Sequence, residues 1–237
     1  MREAALSDTQ PATIMSALAI LAMVNDTVLP ALGRDGFTPQ LIWDPTVALM
    51  KRLAAGETAD GIVAIDWALD ELAGKGLIDP ATRRPIAQAV VGVAVRPGAA
   101  RPDISTAEAL KQTLLEVPSL VYSQAGASGI YFEKLIDQLG IGEAIRAKAL
   151  VIPKGLTGER VASGEVELAI QQLSELMVVP GIDVVGPLPA EVNATTDFSA
   201  AVFTGAKDKA GAARFIDALL TDEARAAYIR TGLVPLF

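Results

Sequence analysis

The chain has no cysteine and no histidine. The first absence excludes disulfides, thiolate metal sites and a thiol nucleophile. The second removes the usual general base and the commonest transition-metal ligand. Any catalysis therefore falls to carboxylates, lysine, tyrosine or hydroxyl groups. Basic charge is also thin: 20 Lys and Arg stand against 28 Asp and Glu, for a net charge of –8. Apart from Lys51-Arg52 and Arg83-Arg84 the cations are scattered singly, so no basic face is available to neutralise a row of phosphates, and neither nucleic acid nor an anionic membrane is an expected partner. The acidic group Asp60, Asp66, Asp70 and Glu71 lacks any calcium-loop spacing and reads as a solvated helix end. No metal and no other cofactor is expected. Gly74-Lys75-Gly76 lacks the spacing of a phosphate loop.

Long apolar runs are missing as well. The most apolar early run, Ile14 to Val24, has 11 residues and is too short to span a bilayer. Acidic Glu3 and Asp8 precede it and no small-residue cleavage site follows, so it reads as a buried strand plus a first helix rather than a signal-peptide core. The chain as it stands is expected to be cytoplasmic, and periplasmic if a leader has been removed from it.

What the sequence does have is 51% hydrophobic residues in 237, enough for a sizeable core. Residues 1–12 read as a polar leader closed by Pro11. Three strand-then-helix units follow. Thr13–Ser16 leads into a helix over Ala19–Leu32, Gln40–Trp43 into a helix opened by Pro45, and Gly61–Ile65 into a helix from Trp67 to Ala73. Such repetition implies right-handed crossovers, a mostly parallel sheet, and ligand contacts beyond the carboxyl ends of the strands. Trp43 and Trp67 read as core or pocket wall.

The rhythm breaks at Pro85. A long strand, Ile86–Val95, runs into the turn-rich Arg96–Thr106. Strand–helix units then resume around Ser119–Tyr122, Lys148–Ile152 and Glu167–Gln171. A second long strand, Thr195–Thr204, is expected to pair with the first, and two helices over Lys209–Leu220 and Thr221–Thr231 close the chain. The fold class is therefore α/β, with two Rossmann-like domains joined by hinge strands near 86–95 and 195–204. Residues 1–95 and 204–237 would form domain I, and residues 96–203 domain II. In domain II the stretch Ser123–Gly140 places Ser128 and Gly129 at a helix start, where Ser128 reads as the capping residue and free N–H groups favour an anion.

Three segments carry a family resemblance: LMKRLAAGETADGIVAID, GASGIYFEKL and GEVELAIQQLSEL. In this order and spacing the chain resembles the periplasmic molybdate-binding proteins and the wider bacterial extracellular solute-binding family, from Thr13 onward. The resemblance implies a type II periplasmic-binding-protein architecture and an oxyanion clamped between the domains. Carried over, the contacts are Ser16 or Ala17 in the first loop, Thr46 where the family has serine, Ser128 and Gly129, Lys154 or Gly155, and Gln172. The chain departs from the molybdate binders where Gln172 stands at the position of their ligand-binding tyrosine, in the first loop, and at cationic Lys154. Those departures point toward a larger or asymmetric anion such as a small carboxylate.

The resemblance implies uptake as the function: a monomeric binder captures a small anion and delivers it to an ABC permease. It also implies two alternatives. One is a non-exported sensor of the same anion. The other is an isomerase of a small tricarboxylate, because members of the wider family have been recruited to isomerise aconitate. A proton shift needs only a base and an acid beside a bound carboxylate. Lys154, Tyr122, Tyr131, Asp44, Asp66 and Glu175 are the candidates, and no spacing singles one out.

Overall fold

The computed structural model describes residues 11–237, so most of the expected polar leader lies outside the described residues. Three parallel strands, β1 (Thr13–Ser16), β2 (Gln40–Trp43) and β3 (Gly61–Ile65), open the chain, with β1 between the other two. The helices that follow them are α1 (Leu21–Met23) with α2 (Leu29–Arg34), then α3 (Thr46–Ala54) and α4 (Asp66–Gly74). The first helix is not the regular one expected. It enters as a 3-10 turn at Leu18–Ile20 and widens to a π-helix at Val24–Val28, where Leu29 N–H bonds Val24 O. Pro30 has no N–H for the next ordinary bond, and the wider turn absorbs that break.

The long β4 (Arg84–Val95) comes next, then α5 (Ala107–Glu116), β5 (Leu120–Ser123), α6 (Ala127–Gln138) and α7 (Gly142–Arg146). After these come β6 (Ala149–Ile152), α8 (Gly158–Ala162), β7 (Leu168–Gln172), α9 (Leu173–Met177) and β8 (Asp183–Pro187). The chain returns through β9 (Thr195–Val202), α10 (Lys209–Ala218), α11 (Asp222–Arg230) and the short β10 (Val234–Pro235). Side-chain caps hold the starts of α5, α10 and α11: Thr106, Asp208 and Thr221 each accept an N–H from the first turn.

Strand β4 serves two sheets. Its residues Arg84 to Val90 pair antiparallel with β9, which itself lies against β3. From Val91 to Val95 it pairs instead with β7, and on its other edge with β8. Strand β5 runs parallel between β7 and β6. The apolar cores divide in the same way. One cluster joins Ile14, Ile20, Met23, Phe198, Phe215 and Tyr228, and another joins Val93, Leu114, Tyr122, Phe132 and Ile170. At Gly92 the helix α9 presses onto the shared strand, where an added Cβ would lie 2.8 Å from Leu173 Cδ1. Among the described residues no helix is long and apolar enough to cross a membrane.

Two strands end one residue later than the residue pattern suggests, at Ser123 and Gln172. Both remain in their ladders, Ser123 opposite Ile152 and Gln172 opposite Val91. Those polar residues are thereby fixed at strand ends rather than left to loops.

Candidate functional site

The carboxyl ends of β1, β2 and β3 face those of β5 and β7 across a cleft between the domains. Its inner part is an enclosed space of about 20 Å³ walled by Ala17, Thr46, Gly126, Ala127, Gln172, Glu175 and Phe198, among others. That is little more than one water. It adjoins a wider opening of about 350 Å³ bounded by Thr46, Asp66, Trp67, Tyr131, Lys134 and Thr196. Thr46, Ile65 and Ala127 border both spaces. Larger depressions of about 500 Å³ and about 710 Å³ lie elsewhere, beside Asp60 and beside α5, away from the facing strand ends.

The helix start at α6 reaches the wall through Gly126 and Ala127. Gly126 is the N-cap and makes no side-chain cap bond, so Ser128 is not the cap that the sequence suggested. Its hydroxyl is buried and has no hydrogen-bond partner, and the same holds for Ser123 Oγ at the end of β5. The two hydroxyls flank Gly126: a Cβ there would lie 2.3 Å from Ser123 Oγ and 3.7 Å from Ser128 Oγ. The N–H groups of Ala127, Ser128 and Gly129, in the first turn, have no intrahelical acceptor. Gly129 serves contact rather than flexibility, because a Cβ on it would fall 1.6 Å from the Ser123 carbonyl oxygen. Only a bare Cα lets α6 begin this close to the strand.

Across the cleft, Thr46 is buried in the first turn of α3, and its hydroxyl accepts from Ile65 N–H at 3.3 Å. Ser16 is fully buried at the end of β1, where its hydroxyl makes a long 3.3 Å contact to Ala17 O. Ala17 forms part of the wall, but its N–H already donates to Val63 O at 2.9 Å, so it is not a free donor. Gln172 is buried; its Nε2 donates to Thr196 Oγ1 at 3.2 Å, and its Oε1 has no partner. Thr46 and Gln172 thus share the enclosed space with the N-terminal turn of α6.

Lys154 and Gly155 stand differently. Lys154 Nζ reaches across the cleft to Asp44 Oδ1 at 2.5 Å, and Asp44 also binds Arg52 at 3.0 Å. The ammonium expected to face a ligand is therefore spent on a carboxylate of the opposite domain. Gly155 has φ +105°, a conformation that suits glycine, and its carbonyl accepts from Gln171 Nε2 at 2.9 Å.

Of the six candidate acid–base groups, the structure sets most aside. Tyr122 lies in a domain core with its hydroxyl bonded to Glu133; burial, then that bond, raises its pKa well above the usual phenol range. Tyr131 donates to Val192 O at 2.6 Å. Asp66 accepts from Ser199 Oγ at 2.5 Å and pairs with Arg83 at 3.1 Å. Glu175 remains. It sits in the first turn of α9, is buried and walls the enclosed space. Burial pushes its carboxyl up to about 8; the opposing contacts, from the Gln171 side chain and the Gln172 backbone, are neutral and weaker. In the acidic group of Asp60, Asp66, Asp70 and Glu71, Asp70 pairs with Arg83 and Glu71 with Lys75. Asp60 is not solvated as expected. It is buried and accepts N–H bonds from Thr13, Lys207 and Asp208, which outweigh burial and lower its pKa.

Ser123, Gly126 and Phe198 were not singled out from the sequence. A signal existed for the first two, since an apolar strand closing on serine followed by Gly-Ala-Ser-Gly is the form a strand-to-helix anion turn takes.

The family model for bacterial extracellular solute-binding protein matches residues 34–234. The chain is 37% identical over 231 residues to an aconitate isomerase from Pseudomonas sp, covering 94% of this chain and 87% of that one. Among solved structures, it superposes on the periplasmic molybdate-binding protein of Azotobacter vinelandii with a TM-score of 0.78 at 16% identity, covering 94% and 98% of the two chains. For a sulfate-binding protein from Mycobacterium tuberculosis H37Rv the TM-score is 0.71 at 15% identity, covering 96% and 88%. At these identities the structural likeness speaks to the fold alone. That fold is the expected one, two α/β domains in the type II periplasmic-binding-protein arrangement.

Proposed function

The chain belongs to the bacterial extracellular solute-binding protein family, and from that premise we propose that it captures a small anion in the cleft between its domains. The observation that carries this reading is the pair of buried, unpartnered hydroxyls of Ser123 and Ser128 beside the free N–H groups of α6. A buried hydroxyl without a partner costs about 1–3 kcal/mol, which an anion accepting from both would recover. Thr46 and Gln172 supply the opposing polar groups. The enclosed space is too small for such an anion as it stands, so capture requires the domains to part and close again. We place the crossing where β4 changes partners, between Val90 and Val91, and the return at the start of β9. The Asp44–Lys154 pair bridges the closed cleft. Delivery to an ABC permease in the periplasm follows from the family reading.

The test is a thermal-shift series with molybdate, sulfate, phosphate, citrate and trans-aconitate, paired with small-angle scattering. Binding at 100 times Kd adds about 2.7 kcal/mol of stability and should reduce the radius of gyration. No stabilisation by any of these anions would overturn the proposal.

A second reading, an isomerase of a small unsaturated tricarboxylate, is favoured by Glu175 and by the 37% identical relative. Glu175 would take a proton from the carbon next to one carboxylate as the double bond shifts, and return it to the far end of the allyl unit. Nothing is oxidised or reduced. Proton NMR of trans-aconitate with the protein distinguishes the readings, since a binder leaves its spectrum unchanged over time.

A further inference from the structure

We propose that the interdomain site takes a small carboxylate together with one proton, which Glu175 carries and shares with the bound anion. The inference rests on the anion-capture reading and sharpens its ligand class.

The geometry is unusual for an anion site. Glu175 is the one ionisable side chain on the wall of the enclosed space among the described residues, and it shares that wall with Gly126 and Ala127, the α6 start beside the two unpartnered serine hydroxyls. An ionised carboxylate there would repel the anion that those donors attract. Among the described residues no cation lies on the wall of this space to relieve the conflict. Helix α9 packs against β4, β7, β8, α1 and the 3-10 turn Leu18–Ile20. The ionisable residues on these elements are Arg84 and Asp183. Arg84 is bonded to the carbonyls of Ala81 and Arg83, and Asp183 to Gly98 N–H, so each is engaged elsewhere. Elsewhere on the wall Ala17, Pro45, Thr46, Gly126, Ala127 and Phe198 carry no charge at all. Of the cleft's cations, Lys154 is held by Asp44, and Lys134 bounds the wider opening rather than the inner space.

A buried carboxyl in such surroundings is stable as the neutral acid, and its O–H is then a donor. Donation to a bound carboxylate, a base of similar strength, makes a short charge-assisted hydrogen bond. The oxyanion of a strong acid, such as sulfate, is a poorer acceptor for that proton. Glu175 thus selects the class of anion as well as tolerating it.

The experiment uses the full chain and propane-1,2,3-tricarboxylate, which has no double bond to move and is fully ionised at alkaline pH, with sulfate as the comparison. Because the bound anion tightens the hold of Glu175 on its proton, affinity should fall about tenfold per pH unit above pH 8. Calorimetry at pH 9 in two buffers of different ionisation heat should show close to one proton taken up per anion. In Glu175→Gln both dependences should vanish, and at pH 9 the variant should bind more tightly than the wild type. Tricarboxylate binding with no proton uptake by the wild type overturns the inference and leaves anion capture standing. So does binding of sulfate without the tricarboxylate. Binding of neither overturns both, and the wild-type measurement decides the matter even if the variant does not fold.

Discussion

Replacing Lys154 by alanine separates two roles that the same residue could play. In the structure its ammonium is bound to Asp44 of the opposite domain at 2.5 Å, with Lys154 55% exposed and Asp44 5% exposed. A pair with one half-exposed partner is screened by solvent, and contributes about 0.2–1 kcal/mol. Arg52 stays on Asp44 at 3.0 Å in the variant, so the carboxylate is not abandoned in the interior. Taking the upper figure, the closed form loses about 1 kcal/mol relative to the open one, and ligand affinity falls about fivefold. The assay is calorimetric Kd for the best anion of the thermal-shift series, with scattering to follow closure. Asp44→Asn should weaken binding to a similar degree. The double variant should be little worse than either single one, because both remove the same contact. A direct hydrogen bond from Lys154 to the anion is worth about 1.5–3 kcal/mol, or roughly 10- to 150-fold. Should Lys154→Ala cost about a hundredfold while Asp44→Asn costs nothing, the interdomain pair is not what Lys154 is for.

Further outcomes follow from the same site. Ser128→Ala removes a buried hydroxyl that caps nothing, so stability should hold or rise slightly while anion affinity drops about tenfold or more, read by denaturant melts and calorimetry. Gly129→Ala drives a Cβ to 1.6 Å from the Ser123 carbonyl and should cost about 3 kcal/mol or more, seen as a lowered urea midpoint. Glu175→Gln tests the buried acid through stability. With a folded pKa of about 8, above its unfolded value, Glu175 favours folding most below the unfolded pKa, and this contribution is lost as pH rises through 8. The variant should therefore melt higher than the wild type at pH 9 and about equally at pH 4; equal melting at both would place the carboxyl in water. Asp60 carries the opposite sign. Its lowered pKa means that stability is lost as pH falls through the folded value, and Asp60→Asn should flatten the acid limb of the pH–stability curve.

The alternation of strand and helix was plain in the residues because each element announces itself locally. Gly61–Ile65 is continuously apolar, as a strand covered on both faces is, and Thr106 and Thr221, residues of a type that caps helices, stand at helix starts in the structure. The pairing of Ile86–Val95 with Thr195–Thr204 followed from length alone. The site was legible only in part. Thr46 and Gln172 meet around one space while Ser128 lies next to its wall at Ala127, yet the partner of Lys154 lies 110 residues away in sequence, and no local pattern encodes such a contact. The depth of Glu175 was likewise hidden, since a carboxylate in a short helix reads as exposed until the packing around it is known. The widened turn at Val24–Val28 was foreshadowed by Pro30, whose missing N–H shows only once the helix is known to continue through it.

The double allegiance of β4 bears on the order in which the protein is made. A chain leaving the ribosome presents β1, β2 and β3 first, yet the strand that belongs between β3 and β4 is β9, near the end of synthesis. The strands that pair with the second half of β4 are complete once β8 has emerged. The later half of the sequence is therefore able to finish folding before the earlier half, which must wait with an open sheet edge for its last strand. An unfinished translation product would carry that bare edge, and a chaperone that covers strand edges would find its work at the amino-terminal end of the nascent chain.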